Sequence, residues 1–277
     1  MQGSQVWAPP TGALGGLVQQ AHARASGLTS RKADLDRKAE LSASRPARSL
    51  VAAIRRTDVA VLAEVKRRSP SKGWIRATLD APDQARAYER GGASAISVLT
   101  EPDHFGGSNE DLEAVLAAVE LPVLKKDFHV HPLQLLEAKG LGASAALLIA
   151  RALSRESLRQ LFESALELSL EVLIEVRDEE ELERALALGA QLVGINNRNL
   201  ETLEIDRGRS EKLLKCIPES VVVVAESGIS ARSDVERLAR SGAHAVLVGS
   251  SISAADDPES AVRALTGLQR STRANRD

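Results

Sequence analysis

From Val59 onward, short runs of Val, Ile, Leu and Ala alternate with charged segments of helical period until the chain is nearly spent. The pattern predicts strands at 59–66, 94–100, 123–128, 145–150, 171–176, 192–197, 221–226 and 245–249. It predicts helices over 82–91, 109–119, 132–142, 154–168, 178–189, 206–216, 230–241 and 257–267. Strands that are apolar on both faces belong to a parallel sheet covered by helices. Eight such units fit the roughly 250 residues of a closed (β/α)8 barrel. An open doubly wound sheet is the structural alternative, but no G-x-G-x-x-G follows the first strand. Gly91-Gly92, Gly142, Gly189 and Gly242 precede strands two, four, six and eight, where a helix can end in the left-handed conformation.

The expected fold class is therefore α/β, a (β/α)8 TIM barrel with an N-terminal helical extension. The extension is assigned to 1–56, the barrel to 57–268 and a polar tail to 269–277. Residues 1–12 read as a loose terminus, and 14–56 as two or three short helices with a break at Pro46. Basic residues in this extension interleave with Asp34, Asp36 and Glu40, which favours a solvated helical face over a nucleic-acid arm or transit peptide.

With 36 basic against 38 acidic residues the net charge is -2, so charge gives no reason to expect nucleic acid or a polyanionic surface as partner. No apolar run has the length of a membrane-spanning helix. The expectation is a cytoplasmic protein acting on a small molecule, as a monomer or weak homodimer. The single cysteine, Cys216, excludes an intramolecular disulfide and any cysteine metal cluster. In KLLKCIP it reads as a small buried apolar residue.

In a barrel of this kind the C-terminal strand ends converge on the face where chemistry occurs. Those ends carry Glu64 and Lys66; Thr100 and Glu101; Lys126 and Asp127; Glu175; Asn196, Asn197 and Arg198; Glu226 and Ser227; Gly249 and Ser250. Buried charges must be paired or matched by a charged ligand, so Glu64, Glu175 and Glu226 are expected to face Lys66 and Lys126. The turns ESGIS (226–230) and GSSIS (249–253) offer small residues and free N–H groups after strands seven and eight, where barrels commonly hold a phosphate. Ser69, Ser71 and Lys72 on the first loop could close that site. Only 2% of the chain is aromatic, yet Trp74, Phe105 and Phe128 fall at the same mouth, which implies an aromatic or apolar substrate moiety. The alternative puts Phe128 in the upper core and Trp74 over a loop. His129 and His131 are two apart, but nothing else is tied to them and Pro132 follows, so no metal site is expected.

These residues resemble the indole-3-glycerol-phosphate synthase family of tryptophan biosynthesis. The likeness runs from about Leu14 to Leu265 through AEVKRRSPSKG (63–73), LTEPDHFGGS (99–108), PVLKKDF (122–128), LLIA (147–150), LIEV (173–176), GINNRNLET (194–202), AESGI (225–229) and LVGSS (247–251). The resemblance implies a lyase that converts 1-(2-carboxyphenylamino)-1-deoxyribulose 5-phosphate to indole-3-glycerol phosphate, with loss of CO2 and water and without a cofactor. It implies Lys126 as general acid and Glu175 as general base, with Glu64, Lys66, Asn196, Arg198 and Glu226 arranging substrate and charge. Ser69, Ser227, Gly228, Gly249 and Ser250 would surround the phosphate, and Phe105, Phe128 and Leu147 the anthranilate ring. The chain departs from the family pattern at HVH (129–131) and SISAADDP (251–258); the second borders the phosphate loop. Phosphoribosylanthranilate and histidine-pathway isomerases resemble this chain in fold but use a Cys/Asp or Asp/Asp pair. A catalytically dead sugar-phosphate-binding barrel is the non-enzyme alternative, against which Lys126 and Glu175 argue.

Overall fold

The computed structural model describes residues 7–43 and 48–273. Eight parallel strands close a barrel: β1 Ala60–Val65, β2 Ala95–Leu99, β3 Val123–Lys126, β4 Ala145–Ile149, β5 Glu171–Val176, β6 Leu192–Asn196, β7 Val222–Glu226 and β8 Ala245–Val248. Each pairs with its sequence neighbours, and β8 closes on β1 with Leu247 opposite Leu62. All eight expected strands are present, each within a residue or two of its expected ends. Near-continuous burial along them explains why: one face fills the barrel and the other packs on helices.

The helices end as the glycines require. Gly92, Gly142, Gly189 and Gly242 all have positive φ, between 77° and 98°, a conformation costly for any residue with a β-carbon. The sequence pattern did not reveal four short elements: a hairpin pairing Arg68–Ser69 with Gly73–Trp74, helix Pro102–Phe105, a 3-10 turn at Ala150–Ala152, and helix Ser250–Ser253. All lie on loops at the C-terminal face.

The N-terminal segment forms α1 (Gly12–Gly27), α2 (Lys32–Ala43) and α3 (Leu50–Ile54); Pro46, the expected break, falls outside the described residues. Helix α1 buries Leu14, Leu17, Ala21 and Ala25, a stripe at helical spacing. Two polar clamps hold α1 near the mouth: Thr11 N–H donates to Glu201 Oε1 at 2.8 Å, and Arg24 donates to Asp127 Oδ1 at 2.8 Å. Helix α2 instead packs Leu35 and Ala39, together with Leu28 from the turn before it, against Leu133 and Leu136. At the other end of the barrel the chain returns after its last helix, and Arg273 is buried there. Its guanidinium donates to the carbonyls of Ile217, Pro218, Val221 and Gly242, near the starts of β7 and β8.

Candidate active site

Glu64, at the end of β1, is buried, and two ammonium groups reach its carboxylate. Lys66 Nζ lies 2.6 Å from one oxygen and Lys126 Nζ 3.4 Å from the other. Lys126 also donates to Glu226 Oε2 at 2.7 Å across the barrel. Burial alone would lower the Lys126 pKa, but Glu226, Glu64 and Glu175 outweigh it, and the ammonium is held above its ordinary value. Glu64 shifts the other way: burial pushes it up, yet Lys66 and Lys126 leave it below the usual carboxylate range. Glu175 has no such pair. Burial and the Glu226 carboxylate push it up to about 8, with Lys126 and a hydrogen bond from Asn196 offsetting only part. One cluster thus contains a firmly protonated ammonium and a carboxyl that titrates near neutrality, the separation expected of an acid and a base.

Two glycines make room for these carboxylates. A β-carbon at Gly249 would sit 2.4 Å from Glu64 Oε1, and one at Gly194 would sit 2.2 Å from Glu226 Oε1. Both approaches are closer than any methyl group permits. Among the described residues Glu226 Oε1 has no hydrogen-bond partner, so there its carboxylate is anchored through Oε2 and Lys126.

Beside the charges lies an apolar slot. Phe105 and Phe128 have ring centroids 6.2 Å apart, and Leu17, Leu99, Leu147 and Ile149 line the same cavity. Glu101 positions Phe105 by accepting the Asp103, His104 and Phe105 N–H groups, which caps the short helix that carries the ring. Lys66 Nζ stands 5.8 Å from the Phe105 centroid, within cation–π range. Trp74 does not share the slot. It is 58% exposed and lies against Arg68 and Gly106, so the loop-covering alternative holds for it.

The third wall comes from the turns after β7 and β8. Ser227 and Gly228 both have positive φ, 65° and 74°, and Ser227 is one of three described non-glycine residues with that geometry. Strained backbone of this kind is retained where the turn has a task. Gly249 and Ser250 open the helix Ser250–Ser253, and the hydroxyls of Ser69 and Ser251 are buried with no hydrogen-bond partner among the described residues. Ser69, Ser71, Lys72, Ser227, Gly228, Gly249 and Ser250 all border the cavity, whose volume is about 370 Å³. Glu64, Lys66, Lys126, Glu175, Asn196, Arg198, Phe105, Phe128 and Leu147 line it too, with Glu226 just behind through Lys126.

Other strand-end residues support the loops. Asn197 accepts from the Ser210 N–H and hydroxyl and donates to Ser227 O. Arg198 donates to Leu203 O, and burial lowers its pKa. The two histidines serve separate ends. His129 is buried with Nδ1 2.7 Å from Leu147 O, whereas His131 caps helix Pro132–Leu141 by accepting from Leu133 N–H. Cys216 corrects the expectation of burial: it is exposed. The helix before it, Arg209–Leu214, ends two residues short of it; Leu213 and Leu214 turn inward within the helix and Ile217 does so after it, while Cys216 stays on the solvent side.

Several contributors carried no local sequence signal. Leu17 and Arg24 come from the extension, whose basic residues read as a solvated face; yet Arg24 holds Asp127, the neighbour of Lys126, and Thr100 donates to the same carboxylate at 2.7 Å. Lys125, on the opposite strand face from Lys126, is buried against Glu137 at 2.9 Å. Its place beside Lys126 in the sequence gave no hint which of the two enters the cavity, beyond strand alternation.

The barrel is similar to thiamine phosphate pyrophosphorylase from Pyrococcus furiosus, with a TM-score of 0.55 at 16% identity over 75% of this chain and 93% of that one, a likeness of fold alone. A family model described as indole-3-glycerol phosphate synthase matches residues 17–265. The chain belongs to the indole-3-glycerol phosphate synthase family. A synthase of that name from Nocardioides sp. is 50% identical over 84% of this chain and 90% of its own length. One from Streptomyces coelicolor is 50% identical over 79% of this chain and 81% of the relative. The family comprises carbon–carbon carboxy-lyases of tryptophan biosynthesis. The match includes Leu17 and most of α1, so the segment that closes the apolar slot belongs to the family unit rather than to an appendage. No helix among the described residues is long and apolar enough to cross a membrane.

Proposed function

We propose that this chain converts 1-(2-carboxyphenylamino)-1-deoxyribulose 5-phosphate to indole-3-glycerol phosphate, with Lys126 as general acid and Glu175 as general base. The observation that carries the assignment is the Lys126 ammonium, bonded to Glu226 and Glu64 at the edge of the Phe105–Phe128 slot. The anthranilate ring fits the slot, its carboxylate meets Lys66, and the phosphate lies on the turns after β7 and β8, with Ser69, Ser227, Gly228, Gly249 and Ser250 as donors.

Ring closure forms a bond between the ring carbon bearing the carboxylate and the ketone carbon. The ketone oxygen then needs a proton, which Lys126 supplies as the alkoxide develops. Loss of CO2 restores aromaticity, and loss of hydroxide and a ring proton completes the indole. Glu175 begins largely protonated at neutral pH, with its pKa at about 8. Once Lys126 has given up its proton, its neutral amine is the stronger base and draws that proton from Glu175. This restores the ammonium and frees the carboxylate for the dehydration. The bonds made and broken balance without an external oxidant or reductant.

The test is single-turnover CO2 release and indole fluorescence with the carboxyphenylamino substrate. Wild type yields both. Lys126→Ala should lose both by about 10²- to 10⁴-fold. CO2 release at the wild-type rate from that variant would remove Lys126 as the acid, and absence of indole from wild type would remove the activity.

A further inference from the structure

A phosphate monoester carries close to two negative charges at neutral pH, but the turns after β7 and β8 offer it neutral donors. The cavity's lysines at the chemical end are committed elsewhere: Lys66 lies 2.6 Å from Glu64, and Lys126 2.7 Å from Glu226. Arg198 donates to Leu203 O. Lys72 borders the cavity from the loop after β1. Arg207 is placed differently. It borders the same cavity and lies directly on the phosphate turn, where a β-carbon at Gly228 would come 3.6 Å from Arg207 Cγ and 3.9 Å from its Nε. Its side chain is 61% exposed and, among the described residues, its only charged partner is Asp234 at 3.6 Å, which is too long for a hydrogen bond. Asp234 does not depend on that contact, because it accepts from the Ser230 and Ala231 N–H groups at 3.0 and 3.2 Å and has Arg237 at 3.9 Å.

We infer that Arg207 is a further substrate-binding residue, a guanidinium that rests beside Asp234 and moves onto the substrate's phosphate at the Ser227–Gly228 turn. The inference rests on the phosphate reading of those turns. A guanidinium suits the task because its planar fork can donate two bonds to a phosphate, and its long stem crosses the short gap from Asp234 without backbone movement. The contact is at the rim, so it adds to substrate affinity and to capture rather than to the chemical step, and it weakens with salt.

The experiment compares wild type, Arg207→Leu, Arg207→Lys and Ser250→Asp in the full chain. It measures kcat, KM and inhibition by inorganic phosphate at low and high NaCl. Arg207→Leu should raise KM and the phosphate inhibition constant roughly tenfold at low salt, with the loss falling on KM. High salt should narrow the gap, and Arg207→Lys should recover part of the affinity. Arg207→Gln, which keeps much of the stem, repeats the test should the leucine variant melt early. If Ser250→Asp raises KM while Arg207→Leu and Arg207→Gln stay within twofold of wild type, Arg207 is only a partner of Asp234 and the inference is wrong. If Ser250→Asp leaves KM unchanged, the phosphate site itself is misplaced and both readings fall.

Discussion

Replacing Glu175 by Gln should make the protein more stable at neutral pH while it impairs catalysis. In the fold Glu175 is buried, and burial with the Glu226 carboxylate raises its pKa from 4.5 to about 8. Below pH 4.5 the carboxyl is protonated whether the chain is folded or not, and it costs nothing. Between pH 4.5 and 8 the unfolded chain releases the proton and the folded chain keeps it, so stability falls by about 1.4 kcal/mol per pH unit. Three units separate pH 4.5 from pH 7.5, which sets a ceiling of ~4 kcal/mol. The variant loses a carboxylate that helps hold the Lys126 ammonium, so a gain of ~2 to 4 kcal/mol is the expectation. Urea unfolding of both proteins at pH 5 and pH 7.5 measures it. The difference should be small at the lower pH and favour the variant at the higher one. A difference that does not change with pH would mean Glu175 titrates normally in the fold.

The same variant tests the division of labour. Glu175→Gln should still release CO2 in a single turnover, because ring closure uses the proton already on Lys126. Indole formation should fall by about 10²- to 10⁴-fold. Indole at the wild-type rate would exclude Glu175 as the base of the dehydration.

Other residues can be tested as directly. Gly249→Ala should force the Glu64 carboxylate off its lysines, since the added methyl would lie 2.4 Å from Oε1; kcat should fall at least tenfold, as about 1.4 kcal/mol of lost positioning would give, and a wild-type kcat would show that Glu64 can move freely. Arg273→Ala should remove a guanidinium buried among four carbonyls and cost ~2 to 4 kcal/mol of stability by denaturant unfolding, with kcat unchanged because the contact lies at the far end of the barrel from the cavity; an unaltered midpoint would show the tail is not anchored there.

Periodicity was enough to recover the barrel. Strands such as β7, VVVAE, are buried on both faces, and Gly142 or Gly242 stops the helix before the next strand in a conformation other residues avoid. The positions of Glu64, Lys126, Glu175 and Glu226 followed from strand ends, because parallel strands in a closed barrel must deliver those ends to one face. What periodicity could not supply is pairing between distant segments. Arg24 meets Asp127 across 103 positions, and Arg273 meets Val221 across 52. In sequence each arginine is only a charge in a polar stretch. Cys216 was misplaced for a related reason: the helix stops at Leu214, so its period does not decide which of the following residues turns inward, and Ile217 took that position.

The charge balance of the cluster links these observations to the chemistry. Lys66 and Lys126 face Glu64, Glu175 and Glu226, two possible positive charges against three negative ones. Fully ionised, the buried site would carry an excess negative charge and would repel a substrate bearing both a carboxylate and a phosphate. The raised Glu175 pKa removes that excess in the resting enzyme, because near neutrality the site keeps one proton there. The proton is then in the right place to be used. In the proposed reaction, protonation of the ketone oxygen by Lys126 would cost the cluster a positive charge, and the cheapest correction would be transfer of the Glu175 proton to the vacated amine. Under that proposal, burial that penalises the resting carboxylate would store the base in masked form until ring closure has occurred. The glycines at 194 and 249 belong to the same logic, because side chains there would push Glu226 and Glu64 away from the ammonium proposed as the acid.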